Sequence, residues 1–84
     1  MIIKVGNIMP KIVLGSWREG LEKVSLSKIQ MSMLGKSLSE AKGNVDSLLD
    51  GEKVIIEVDD MDLAQEFFNE AERIGVNCKL IITE

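Results

Sequence analysis

The sequence predicts a two-layer α/β (α+β) sandwich with the element order β-α-α-β-α-β, built as one domain over residues 1–84. Short runs rich in β-branched residues alternate with segments whose apolar residues recur every three or four positions. Single glycines follow the helical segments, where helix C-termini commonly place them. Because strands and helices alternate, we expect the helices to cover one face of a sheet.

The apolar β-branched runs set the expected strands. Lys11–Trp17 reads as the first strand, and Gly15 within it indicates a bulge or an early end of the strand. Lys53–Val58 and Val76–Ile82 read as the later strands. Met1–Val5 (MIIKV) is a possible extra strand at the N-terminus.

The first two predicted helices lie next to each other in the sequence. Val24–Leu34 has helical apolar spacing, and Gly35 ends it. Ser37 and Glu40 form an S-x-x-E capping box that predicts the start of the second helix and satisfies two free backbone donors. Its apolar stripe consists of Leu38, Ala41, Val45, Leu48 and Leu49.

The third predicted helix follows an acidic pair. Either Asp59 or Asp60 can cap it, and Gly75 closes it. Its apolar face consists of Leu63, Ala64, Phe67, Phe68, Ala71 and Ile74. From the two stripes we expect a core that includes Leu38, Ala41, Val45, Phe67, Ala71 and Ile74.

Composition narrows the class of partner. The net charge is −4 and the sequence pI is about 4.8, which disfavours nucleic acid and favours a basic protein partner. No apolar run reaches the length of a membrane span, so we expect no membrane partner. The single cysteine, Cys78, fits a reducing compartment, and we expect a cytoplasmic protein.

Catalytic and metal-binding residue patterns are missing from the sequence. There is no histidine, so Ser–His and Cys–His pairs cannot form within the chain. Cys78 lies inside a predicted strand and is expected to be a small buried residue. The carboxylates between Glu57 and Asp62 do not match a calcium loop and read as an acidic helix N-terminus. We therefore expect no enzyme activity, no metal and no cofactor.

Three sequence segments carry a resemblance. Lys23-Val24 is followed by Lys28, Gly35–Lys42 reads G-K-S-L-S-E-A-K, and Ala64–Val76 reads as a helix that ends in I-G-V. Together they resemble the C-terminal domain of the bacterial large-subunit ribosomal stalk protein, the seven/twelve family. The resemblance implies that family's β-α-α-β-α-β fold. We expect a stand-alone homologue without the family's dimerisation helices and hinge.

The resemblance implies a protein-binding face on the first two helices, with which the family recruits translation factors. We call it the stalk-like face, and it consists of Lys23, Val24, Lys28, Met31, Leu38 and Lys42. The chain departs from the family here, since Ser27, Met31 and Ser39 replace an isoleucine, an arginine and a lysine. These replacements remove two positive charges from the face.

Net charge favours a second candidate, the acidic face, because opposite potentials raise association rates. The acidic face consists of Glu57, Asp59, Asp60, Asp62 and Glu66. We expect a non-catalytic protein-binding domain that acts as an acidic adaptor or inhibitor, for example an immunity protein that neutralises a basic toxin. The alternative is a translation-associated protein that contacts elongation factors or the ribosome.

Overall fold

The computed structural model describes residues 9–83, which form three helices and three strands. The elements are β1 (Met9–Trp17), α1 (Lys23–Leu34), α2 (Leu38–Leu49), β2 (Val54–Glu57), α3 (Met61–Arg73) and β3 (Val76–Thr83). The predicted α+β class and β-α-α-β-α-β order are confirmed. The possible strand at Met1–Val5 lies outside the described residues.

The sheet is fully antiparallel, with β1 in the centre and strand order β2-β1-β3. Since β2 and β3 are both antiparallel to β1, they run in the same direction without touching. The connection from β2 to β3 therefore crosses over β1, and α3 makes that crossing. This strand order separates β2 from its sequence neighbour β3, which hydrophobic spacing alone does not reveal.

Strand β1 divides its side chains between the helices and the open face of the sheet. Ile12 and Leu14 are fully buried, whereas Lys11 and Val13 lie on the other face and are half-buried. The register to β3 shifts between Leu14 and Ser16, which places the irregularity at Gly15 as predicted. Strand β2 shows the same alternation of buried and exposed side chains.

The three helices lie on one side of the sheet, and α2 and α3 pack directly on it. Helix α2 packs over β1 and β2, α3 packs over β1 and β3, and α1 packs against α2 and α3. Ser37 caps α2, because its Oγ accepts a hydrogen bond from Glu40 N at 3.1 Å. The other half of the predicted box differs, since the Glu40 carboxylate pairs with Lys36 Nζ at 3.5 Å. Asp60, not Asp59, caps α3.

The core lies between the sheet and the helices. Five of the six residues predicted for it are buried: Ala41, Val45, Phe67, Ala71 and Ile74. The prediction for Leu38 is wrong, because its side chain is 55% exposed. Leu38 begins α2, one turn before the helix reaches the core at Ala41, so its side chain lies at the surface.

Gly75 joins α3 to β3 where only glycine fits. Its φ is +114°, and a Cβ built there would lie 2.8 Å from Leu21 Cα. The close approach brings the loop before α1 against this turn, where Arg18 N donates to Gly75 O at 2.8 Å and Glu22 N donates to Ile74 O at 3.0 Å. The start of α1 is thereby fixed to the end of α3.

Phe67→Ala should lower the free energy of unfolding by about 3–5 kcal/mol, because it opens a cavity beneath α3. Leu38→Ala is the matched control and should change it by less than about 0.5 kcal/mol, since Leu38 is mostly exposed. Urea denaturation followed by circular dichroism measures both. Equal destabilisation by the two variants would contradict this placement of the core.

Candidate functional site

A groove runs between α1 and the first turns of α2. One cavity of about 360 Å³ is lined by Val24, Ser27, Lys28, Met31, Leu38 and Lys42. An adjoining cavity of about 280 Å³ shares Val24, Ser27 and Lys42 and adds Lys23, Val45, Asp46 and Leu49. The structure therefore brings all six residues of the stalk-like face to one groove, which we call the α1–α2 groove.

The rim of the α1–α2 groove is apolar and exposed. Val24 is 69% exposed and Leu38 55% exposed, and Met31 is also exposed. These three account for nearly half of the large apolar side chains that are exposed within residues 9–83. These three side chains form one apolar cluster along the rim of the groove.

The groove is locally basic although the protein is acidic. Lys23, Lys28 and Lys42 line it, and among the lining residues within 9–83 Asp46 is the one carboxylate. Within residues 9–83, none of the three lysines forms a salt bridge. Their ammonium groups are therefore free to attract negative charge on a partner.

A buried polar side chain holds the two walls of the groove together. Gln30 is fully buried, and its Nε2 donates to Leu26 O and to Ala41 O, each at 3.2 Å. Its Oε1 accepts a hydrogen bond from Asn44 Nδ2 at 2.8 Å. The Gln30 amide thus bridges α1 to α2 with both its donor and its acceptor atoms satisfied.

The residues of the acidic face are all exposed but do not share one concave site. Glu57, Asp59 and Asp60 line a hollow of about 180 Å³, which Lys36 also lines. Asp60 has a structural role as well, because its Oδ1 accepts hydrogen bonds from Asp62 N at 2.8 Å and Leu63 N at 3.2 Å. Asp62 and Glu66 lie outside this hollow.

No group of three or more carboxylate, cysteine or histidine side chains within residues 9–83 is arranged to hold a metal ion. Among the same residues, no helix has the length and apolar character needed to span a membrane. The carboxylates at the start of α3 are exposed to solvent.

Cys78 is half-buried and packs against the core. Burial, together with the nearby Glu72 carboxylate, raises the pKa of its thiol to about 12, and the Arg18 guanidinium only partly opposes this. The thiol therefore stays protonated at neutral pH, and a protonated thiol is a poor nucleophile. The sequence predicts that Cys78 is buried, whereas the structure leaves it half-buried at the margin of the core.

Gln30 and Asn44 are the residues of the site that sequence reasoning missed. Gln30 is four positions after Leu26 and three before Met33, on the face that carries the apolar residues of α1. A polar residue at such a position is a signal that it can be buried with hydrogen-bonding partners. Its partners, however, lie on α2 and follow only from the packing of the two helices.

Comparison of the chain with models of protein families, with curated proteins and with solved structures found no match. The resemblance to the ribosomal stalk domain therefore stays a prediction that depends on three short segments, at residues 23–28, 35–42 and 64–76. The six residues of the α1–α2 groove stand independently of it, because the geometry alone brings them together.

Gln30→Met keeps the side-chain volume but removes the hydrogen bonds between α1 and α2. We expect it to lower the free energy of unfolding by about 1–3 kcal/mol, since it leaves the buried Ala41 carbonyl with one partner fewer. Gln65→Met on the exposed face of α3 is the matched control and should change stability little. Equal stability of the two variants in urea would show that the Gln30 bridge is not structural.

The raised pKa of Cys78 makes two measurable predictions. A thiol-specific reagent at pH 8 should label the folded protein at least about tenfold more slowly than the unfolded chain. The unfolded thiol ionises at about 8.5 and the folded one at about 12, so the free energy of unfolding should fall as pH rises between these values. That fall should be smaller in Cys78→Ser. Rapid labelling of the folded protein would contradict the protected thiol.

Proposed function

We propose that this chain is a non-catalytic protein-binding domain that holds an acidic, partly apolar segment of a partner in the α1–α2 groove. The observation that carries the proposal is the exposed cluster of Val24, Met31 and Leu38 beside lysines that make no salt bridge within residues 9–83. The apolar side chains would be buried against the partner, and the lysines would steer and orient it.

The geometry favours the groove over the acidic face that net charge favours. The groove combines concave shape, exposed apolar surface and unpaired charge. The acidic face offers charge without large exposed apolar side chains, and Asp60 already caps α3. Charge alone speeds encounter, but buried apolar contacts supply most of the lifetime of a complex.

The kind of partner separates the two roles expected from the sequence. A translation-associated role, as the resemblance implies, would bring an acidic surface of a translation factor into the groove. An adaptor or inhibitor of a basic protein, such as an immunity protein, would instead use Glu57, Asp59, Asp62 and Glu66, whose carboxylates are exposed. We propose the first surface as the principal one and keep the second as the alternative that the net charge of −4 supports.

We also propose the cytoplasm as the compartment of this protein. Cys78 is the single cysteine of the chain, so it cannot form an internal disulfide. Its half-buried, protonated thiol suits a reducing environment, where disulfides are rare.

Charge reversal on each face tests the proposal. The wild-type protein should first be used to capture partners from the native cell extract, and mass spectrometry identifies the enriched partner. The affinity of that partner for each variant is then measured by direct titration. Lys28→Glu with Lys42→Glu should weaken binding about a hundredfold, and raised salt should weaken the wild-type complex. Asp59→Lys with Asp62→Lys reverses as many charges on the acidic face, spares the Asp60 cap, and should leave binding intact.

The apolar part of the groove needs its own variant. Val24→Ser with Leu38→Ser should weaken binding about tenfold or more without loss of stability, because both side chains are exposed in the free protein. If the acidic-face variant loses the partner while both groove variants keep it, the inhibitor role is supported and the groove proposal fails.

A further inference from the structure

Strand β3 forms a long outer edge of the sheet. It has eight residues, Val76–Thr83, whereas β2 at the opposite edge has four. An edge strand presents unpaired backbone donors and acceptors that can pair with another strand. Proteins commonly block such edges with charges, bulges or covering groups, so an unblocked stretch is a candidate site for pairing with another strand.

Two hydrogen bonds show which backbone groups of β3 point outward. Val58 N donates to Pro10 O at 3.0 Å, so Pro10 directs its carbonyl towards β2 rather than towards β3. Pro10 lies opposite Ile82 of β3, so the backbone N–H and C=O of Ile82 point away from β1. Cys78 N donates to the Glu72 side chain at 2.8 Å, which places it outward too. With a period of two residues, the backbone groups of Cys78, Leu80 and Ile82 line the outer edge.

The first half of this edge is blocked by side chains. Glu72 Oε2 accepts a hydrogen bond from the N–H of Cys78, and Arg18 Nη1 donates a hydrogen bond to Val76 O at 3.2 Å. Arg18 and Glu72 also pair with each other at 3.4 Å. An incoming strand would have to displace this pair to reach the start of β3.

The second half of the edge is open and apolar. Ile81 is 41% exposed and Ile82 51% exposed. Within residues 9–83, no side chain accepts a hydrogen bond from the N–H of Leu80 or Ile82. Lys79 is the only charged residue of β3. Residues 80–82 carry no charged side chain that would oppose pairing with another strand.

We propose that the open half of β3 pairs with β3 of a second copy of this chain, antiparallel about a two-fold axis at Ile81. Leu80 of each copy would exchange both backbone hydrogen bonds with Ile82 of the other, and the two Ile81 side chains would meet on the open face of the sheet. The result is one continuous sheet across both copies, with the Arg18–Glu72 pairs at either end of the junction.

Charge and backbone geometry favour an axis at Ile81 over one at Leu80. With the axis at Ile81, the two copies of Lys79 lie about 14 Å apart along the strands, whereas an axis at Leu80 would bring them to about 7 Å. The axis at Leu80 would also require the N–H of Cys78, which Glu72 already holds. Antiparallel pairing about a two-fold axis gives both copies the same contacts, so the edge complements itself.

The dimer leaves the α1–α2 groove free, so the inference does not depend on the proposed function. The groove lies on α1 and α2, and α2 packs over β1 and β2, whereas the open edge belongs to β3 beneath α3. A dimer would therefore present two grooves to a partner that carries two acidic segments, which raises apparent affinity without new contacts.

Sedimentation equilibrium of the full chain, from low micromolar to submillimolar concentration, tests the dimer. The wild-type protein should approach twice the 9.3 kDa of one chain. Ile82→Pro removes one outward N–H without disturbing the pairing to β1 and should weaken association about tenfold or more. Ile55→Pro is the matched control, because Ile55 lies on the outer edge of β2 with its own N–H outward, and it should leave the dimer intact.

If the proline disturbs folding, Ile82→Lys is the second variant and Ile55→Lys is its control. The Ile82 and Ile55 side chains are both exposed in the single chain, so lysine can replace either of them. Thermal unfolding confirms that each variant is folded. A wild-type protein that stays at 9.3 kDa throughout the concentration range overturns the proposal. Dissociation by the Ile55 variants but not by the Ile82 variants also overturns it, because the contact would then lie at β2 or on the open face.

Disulfide cross-linking tests the register. In a Cys78→Ser background, Ile81→Cys should form a covalent dimer under mild oxidation, because facing Cα atoms lie about 4.5 Å apart in such a pair, within disulfide range. Lys79→Cys on the same strand and face is the control and should cross-link about tenfold more slowly or not at all, because its counterpart is too distant. Equal cross-linking of the two variants overturns the axis at Ile81.

Discussion

The buried amide of Gln30 fixes the relation of α1 to α2 on which the groove depends. Its Nε2 bonds to Ala41 O on α2 as well as to Leu26 O on its own helix, and Asn44 satisfies its Oε1. Apolar packing alone tolerates small slides between helices, whereas a buried amide that loses a partner costs about 1–3 kcal/mol. The bridge therefore selects one register. Gln30 and Ala41 directly precede the groove residues Met31 and Lys42, so the hydrogen bond between the walls also sets the width of the groove.

The sequence predicts those features of the fold that are local. The Ser37 cap, the bulge at Gly15 and the apolar faces of α2 and α3 depend on spacing and backbone preference within a few residues, and the structure confirms them. Leu38 shows what apolar spacing cannot predict. The spacing shows which side of a helix faces the core, but it does not show at which residue along the helix the core ends. The strand order β2-β1-β3 and the partners of Gln30 join distant segments, which no local pattern contains.

The distribution of charge explains why net charge and geometry favour different surfaces. The net charge of −4 is a sum over the whole chain and carries no information on position. The lysines of the groove stand together on α1 and α2, and further lysines, Lys53 and Lys79, lie beside the open face of the sheet. At physiological salt, charges interact mainly within about 8 Å, so a partner responds to the local pattern rather than to the sum.

The turn around Gly75 connects the two surfaces through one small set of contacts. Arg18 and Glu72 block the first half of the β3 edge, while the same loop, through Leu21 and Glu22, fixes the start of α1 beside Lys23. The close approach of Gly75 to Leu21 leaves no room for a Cβ, so the turn is rigidly placed. The position of the groove's first lysine and the length of open edge on β3 therefore follow from one constraint, the contact between the loop before α1 and the turn after α3. A substitution that forces this contact apart would shift α1 at the groove. It would also break the hydrogen bond from the Arg18 guanidinium to Val76 O, so both surfaces would change together.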